Sequence, residues 1–262
     1  ENVDIIVIAD MRSALTGEEQ KNLDDYIARG GNMVIAGEPR RQEVMNPIVE
    51  SLGVRFMPGR LVKQSDNFQP DFIIARPTKE ADSIAYAFGV MYRREYVATM
   101  PGCTGLEYSA DKGFAITPLF VSDTVGSWNE VETTDFVDDT VRFNPAAGEV
   151  ERSYPTALAL SRKIGDKEQR IVVFGDADCL SNGEISIGRK DVPAANYSLI
   201  SGSFFWLSHE EVPVDVRRPT PPDKKVRVSM GWMNFWKIIL MGVWPASLAF
   251  WAIFIWIRRR GR

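Results

Sequence analysis

Residues 3–36 read VDIIVIADMRSALTGEEQKNLDDYIARGGNMVIA, and this stretch decides the fold. Val3 to Ala9 is an apolar run with Asp4 near its start, the pattern of a strand buried on both faces. Thr16 followed three residues later by Glu19 is a capping box, so a helix starts there and carries Leu23, Tyr26 and Ile27 as its apolar stripe. Gly30 and Gly31 stop it, because glycine enters the left-handed turn after a helix without strain. Asn32 to Ala36 returns as a second strand. Strand, helix and strand within about 35 residues form a right-handed βαβ crossover and predict an α/β fold with a mostly parallel sheet.

Working outward, Gln42 to Leu52 reads as a helix ended by Gly53, with Val54 to Phe56 a short strand after it. Residues 58–96 are less regular: a strand at Asp71 to Ala75, then a short helix around Ala81 to Gly89. Glu95 to Met100, Phe114 to Val121 and Tyr154 to Ile164 are strand-like, and Ser122 to Asn144 is polar and reads as loop. Arg170 to Gly175 (RIVVFG) is the second clear buried strand, and Asn196 to Ser208 an apolar helix. No internal repeat occurs.

Near Val212 the composition changes. VPVDVRRPTPPDKKVRV reads as an extended, Pro-rich basic stalk over 212–234. Ile238 to Ile257 then gives twenty residues without a formal charge, closed by Arg258, Arg259, Arg260, Gly261 and Arg262. A helix of that length spans roughly 30 Å, the hydrocarbon thickness of a bilayer. Trp232, Trp236 and Trp256 sit near its ends, at headgroup depth. The expected division is an α/β domain over 1–211, the stalk, a transmembrane helix over 235–257 and a basic tail over 258–262. Gly242, Ala246 and Ala249 are small residues suited to close helix packing.

The formal charge of −4 hides a partition. Ten of the 31 Lys/Arg and one of the 35 acids (Asp223) lie from Arg217 onward, so that stretch carries +9 and the rest −13. An acidic domain repels phosphate backbones and argues against nucleic acid as a partner; the basic end suits anionic headgroups of the lipid bilayer. Counted on both flanks of the span, the positive-inside rule is a draw, while proximity to the hydrocarbon favours a cytoplasmic RRRGR. The chain opens on Glu1, without an initiator Met, directly before a strand, and reads as a fragment of a longer protein.

Chemistry is sparse. Two cysteines make neither a disulfide framework nor a zinc set, and the single His209 removes most imidazole-based metal sites. Cys103, in MPGCTG, resembles a nucleophile elbow only faintly, because Pro101 stands where the strained turn needs Gly. His209 lies about a hundred residues on, a long reach for a base. Walker, G-x-G-x-x-G and H-E-x-x-H motifs are missing from the sequence. Asp176 and Asp178 follow RIVVFG at the C-terminal end of a strand, where open α/β sheets bind ligands. With Ser181 and Asn182 they suit a hard cation or sugar hydroxyls; equally, both acids cap the turn by accepting backbone N–H bonds. Trp128, Asn129 and Glu130 form another polar loop with an aromatic, either a contact surface or a plug over the sheet edge. The N-Y-S at Asn196 matches a glycosylation acceptor, but its apolar helix makes the match a chance one.

Several of these segments converge on one family. LTGEEQKNLDDYIARGGNMVIAGEP (residues 15–39) resembles the segment with a helix ending in Arg-Gly-Gly in the GldG-like auxiliary components of ABC transport systems, first associated with gliding motility. SDTVGSWNE is similar to that family's T-S-x-x-S-W-x-E loop, RIVVFGDADCLSN to its G-D-x-D-F-x-x-N turn, and NYSLISGSFFWLS to its helix ending in Trp-Leu. The stalk, single span and terminal arginines follow the same order. Cys179 stands where the family has an aromatic, and Ser203 where a second Asn is expected. The family's N-terminal membrane anchor does not precede Glu1, in keeping with a fragment.

The resemblance implies a flavodoxin-like domain similar to class I glutamine amidotransferases without their triad, on the outer face of the cytoplasmic membrane. It implies an ABC permease and a cytoplasmic ATPase as partners. The function expected is that of a non-enzymatic accessory subunit, with no catalytic residue, cofactor or metal assigned. The ligand, a small molecule or an envelope polymer, is expected at Asp176, Asp178, Ser181, Asn182, Trp128 and Glu130. The rivals are a hydrolase using Cys103 or Asp176/Asp178, and a purely structural envelope tether.

Overall fold

The computed structural model describes residues 3–133, 135–136, 141–186, 189, 192–213 and 230–261. The chain divides into two compact units, Glu1–Asp215 and Val216–Arg262. Within the first, the crossover forms as read: β1 (Ile5–Ala9), α1 (Gly17–Ala28) and β2 (Asn32–Ala36). The capping box is closed in both directions, Thr16 N–H donating to Glu19 at 2.8 Å and Glu19 N–H to the Thr16 hydroxyl at 3.3 Å. There follow α2 (Gln42–Val49), β3 (Val54–Phe56), β4 (Arg60–Lys63), β5 (Phe72–Pro77), α3 (Tyr86–Arg93), β6 (Ala98–Pro101), β7 (Leu106–Tyr108), β8 (Ala115–Val121) and β9 (Ser127–Glu130). β10 (Pro155–Ile164), β11 (Lys167–Phe174), α4 (Asn182–Ser186) and α5 (Asn196–Leu207) complete the unit.

The main sheet has seven strands in the order β1-β2-β11-β10-β8-β5-β6, flanked by the antiparallel pairs β3–β7 and β4–β9. Only β1–β2 and β2–β11 are parallel; the other four pairings are antiparallel. The expectation of a mostly parallel sheet is therefore corrected to a mixed one. The reason is connectivity: β10 and β11 are joined by two residues, Gly165 and Asp166, with Gly165 at φ 61°, and a two-residue hairpin forces antiparallel pairing. β1 is also corrected, since it lies at the edge with Val7 half exposed rather than buried. The stretch 122–144 is not all loop, because β9 pairs with β4. The helix expected around Ala81 to Gly89 is a 3-10 turn at Glu80–Ser83 followed by α3.

Alternation along the strands builds a three-layer sandwich. Met33, Ile35, Leu158, Leu160, Ile171 and Val173 face Leu23, Ile27, Met45 and Ile48 of α1 and α2. Their neighbours Val34, Ala36, Ala157, Ala159, Val172 and Phe174 face Phe88 and Met91 of α3 and Leu199 and Trp206 of α5. α3 and α5 approach so closely at Gly202 that a Cβ there would sit 2.8 Å from the Phe88 ring.

Of the second unit, the stalk lies outside the described residues over 214–229. Beyond it α6 (Met230–Ile238), a π-helical segment (Ile239–Val243) and α7 (Trp244–Arg260) run consecutively. Gly231–Arg260 is a 30-residue stretch long and apolar enough to cross a membrane, and the chain buries none of its apolar window. Pro245 stands one residue beyond the π segment, after Trp244. Proline lacks the N–H of the ladder and crowds the carbonyl four residues back, here Met241, and a wider turn accommodates both.

Candidate functional site

The three parallel strands end on the same side, each in an acid: Asp10 after β1, Glu38 after β2 and Asp176 after β11. β2 and β11 both reach their acid through a glycine. At Gly175 a Cβ would sit 2.1 Å from the Thr104 carbonyl oxygen, and at Gly37 2.3 Å from the Phe56 ring. Only glycine lets the neighbouring segments close over these strand ends.

Asp176 is fully buried. Its Oδ1 accepts the Asp178 N–H at 2.8 Å, while its Oδ2 has no partner among the described residues. Glu38, half-buried, reaches across from β2 and accepts the N–H groups of Ala177 at 3.0 Å and Asp178 at 3.3 Å. One carboxylate oxygen from each of Glu38, Asp176 and Asp178 lies within 4.8 Å of the others. Burial, then the Glu38 charge, push the Asp176 carboxyl well above the usual carboxylate range. Burial also raises Glu38, with Asp178 and Asp10 adding repulsion against the stabilising amide of Ala177. Chemically, this arrangement holds an extra proton between carboxyl groups or takes up a hard cation.

Of the residues expected to form a site, Asp176, Asp178, Ser181 and Asn182 stay together through the turn Asp178–Leu180 into α4. Ser181 acts partly as a cap, its hydroxyl accepting the Glu184 N–H at 3.3 Å, and Asn182 is exposed. Trp128 and Glu130 occupy a separate place, both buried, with the Trp128 indole donating to Glu130 at 3.1 Å. Trp128 packs with Val62, Phe136 and Val141 over β4, as a plug does. Glu130 accepts the amides of Glu132 and Thr133. Glu38 was missed. Its signal was present in the sequence: IAGE and VFGD each close a strand with Gly and an acid, and parallel neighbours place such endings side by side.

The departures Cys179 and Ser203 are buried and satisfied locally. The Cys179 thiol donates to the Asp176 carbonyl at 3.1 Å, and the Ser203 hydroxyl to Leu199 O at 2.7 Å. Cys103 is fully buried beside Gly175, its thiol donating to Thr104 O at 3.2 Å, and burial pushes that thiol well up. His209 lines a cleft of about 860 Å³ with Asp4, Tyr26, Asn32 and Lys167, at the opposite ends of the parallel strands. The eight residues of β11 separate those ends by about 23 Å, so His209 and Cys103 form no catalytic pair.

No curated protein matches the chain. Among solved structures, a chain described as the mmIFT52 N-terminal domain superposes with a TM-score of 0.54 at 13% identity, covering 80% of this chain and 79% of that one. At that identity the likeness speaks for the fold alone. The family model described as "ABC-type uncharacterized transport system" matches residues 1–198. This agrees with the resemblance read from the motifs, and the chain belongs to that ABC_transp_aux family of transport-system auxiliary components.

Proposed function

We propose that this chain is a non-enzymatic, membrane-anchored accessory subunit of an ABC transporter. In this reading the α/β domain stands on the outer face of the cytoplasmic membrane, α6 and α7 span it, and the terminal arginines lie in the cytoplasm. The observation that carries it is the family match over residues 1–198 in a chain that also holds the apolar stretch Gly231–Arg260. Burial of Cys103 and its separation from His209 support a binding role over hydrolysis. The parallel β1-β2-β11 portion is the part akin to flavodoxin-like and amidotransferase-like sheets, and its strand-end acids form the ligand crevice, for a small molecule or an envelope polymer. Gly242, Ala246 and Ala249 are the helix surface offered to the permease. Gliding motility or envelope export is the process we assign to the assembly.

The sequence encodes no energy source of its own, so the subunit acts by binding one state of the transporter better than another. The test is a mild-detergent pull-down from native membranes through a tag after Arg262, followed by mass spectrometry. A permease and an ATPase in stoichiometric amounts are expected; recovery of the protein alone would sink the reading.

A further inference from the structure

We propose that Glu38, Asp176 and Asp178 bind one hard divalent cation, of the Ca2+ class, at the C-terminal ends of β2 and β11. This deepens, and rests on, the reading of that crevice as a binding site.

Four acids converge there, counting Asp10, yet the only guanidinium groups paired with them among the described residues belong to Arg12 and Arg41, both on Asp10. Glu38, Asp176 and Asp178 form no ion pair among the described residues. An acidic cluster alone would mean little, since exposed acids are well solvated. Asp176 differs, because it is fully buried with Oδ2 lacking any donor, and a buried carboxyl oxygen without a partner is a costly arrangement in a folded protein. The backbone does not relieve it, since the nearby amides of Ala177 and Asp178 go to Glu38 and to Asp176 Oδ1. A cation satisfies Oδ2 and neutralises the neighbouring carboxylates together.

Ligand number favours Ca2+ over Mg2+. Ca2+ takes about six to eight oxygens in flexible geometry, whereas Mg2+ keeps several of its waters and is held by only about one or two carboxylates. Here three carboxylates lie within 4.8 Å of one another, close enough for a single ion to meet an oxygen of each. The burial gradient also fits an ion site: Asp176 forms the floor, Glu38 the wall and exposed Asp178 the mouth. Water or ligand oxygens complete the shell on that open side.

The experiment is equilibrium dialysis of 45Ca2+ against the chelator-treated full chain in detergent, with thermal melting recorded in parallel. We expect saturable uptake of one Ca2+ per chain, with affinity at the weak end known for Ca2+ modules, about 0.1–1 mM. Ca2+ should raise the melting temperature, because an ion that binds only the folded state stabilises it. Glu38→Gln should abolish uptake, and Asp178→Asn, a change at an exposed position that leaves the fold intact, should weaken it by about tenfold. Absence of saturable uptake up to about 10 mM, or uptake that survives both substitutions, would overturn the proposal and leave a proton shared by the carboxyls as the occupant. Because this readout needs no permease, its failure would leave the accessory-subunit reading standing, and a failed pull-down would leave a measured Ca2+ site intact.

Discussion

Asn196 clasps Thr99 at two points: its Oδ1 accepts the Thr99 N–H at 2.9 Å, and its Nδ2 donates to the Thr99 carbonyl, also at 2.9 Å. Thr99 lies on β6, the edge strand opposite β1, so one side chain does for that residue what a further strand would do. The same Nδ2 donates to the Cys179 carbonyl at 3.0 Å, joining the first residue of α5 to the turn beneath the carboxylates. The Thr99 hydroxyl donates in turn to buried Glu184, whose other oxygen accepts from Arg189 at 2.5 Å. With its amide committed on every side, Asn196 is a fold determinant and not a glycosylation acceptor.

Asn196→Ala should therefore destabilise the protein by about 2–4 kcal/mol, since it strands a buried N–H and removes the donor to two carbonyls. Chemical denaturation of the detergent-solubilised chain measures this. A loss below about 0.5 kcal/mol would mean that water replaces the amide and that the clasp is incidental.

This clasp illustrates what the sequence could and could not reveal. Local rules were legible: Thr16 and Glu19 announce their cap, and RIVVFG and NMVIA announce their strands. Long-range pairings were not. Nothing near Asn196 specifies that its amide meets Thr99, and nothing near Ser127–Glu130 marks it as the partner of Arg60–Lys63. β4 and β9 are four residues each and alternate poorly, so their strand character comes from tertiary pairing. The candidate site was half legible for the same reason. Asp176 and Asp178 stand out within one motif, but Glu38 joins them only because β2 and β11 are parallel neighbours.

Asp123 gives a pH-dependent prediction. Lys63 of β4 and Arg76 of β5 both donate to it, Arg76 at 2.8 Å. Burial works against its charged form, but those hydrogen bonds outweigh it and hold the carboxyl below its usual range. The unfolded state then binds more protons across that window, so stability rises with pH there. The contribution is complete above the ordinary carboxylate value of about 3.9 and fades as pH falls through the lower folded value. Asp123→Asn should lose about 1 kcal/mol at neutral pH, and the gap to the parent protein should close on acidification below about pH 4. A gap of equal size at both ends would refute the assignment.

Cys103 and Cys179 are both fully buried, and burial raises both thiols well above their usual value. Thiolate, not thiol, attacks an alkylating reagent. Iodoacetamide at about pH 8 should leave both cysteines unmodified in the folded chain and label both after denaturation, as read by peptide mass. Rapid labelling of Cys103 in the folded protein would revive the hydrolase reading.

Gly242 lies in the π segment and Ala246 four residues on, in the first turn of α7. Space around Gly242 is open: a Cβ placed there meets nothing within 4 Å. Leucine at these positions is therefore tolerated by the helix itself, and any loss must arise from a partner that needs close backbone approach. Gly242→Leu with Ala246→Leu should leave membrane insertion and the melting of the α/β domain unchanged while reducing permease recovery in the pull-down. Leu248→Ala, a change at an exposed position outside the small-residue set, serves as the control. If the double variant recovers the permease as well as the parent does, the contact lies on another face of the helix or in the α/β domain.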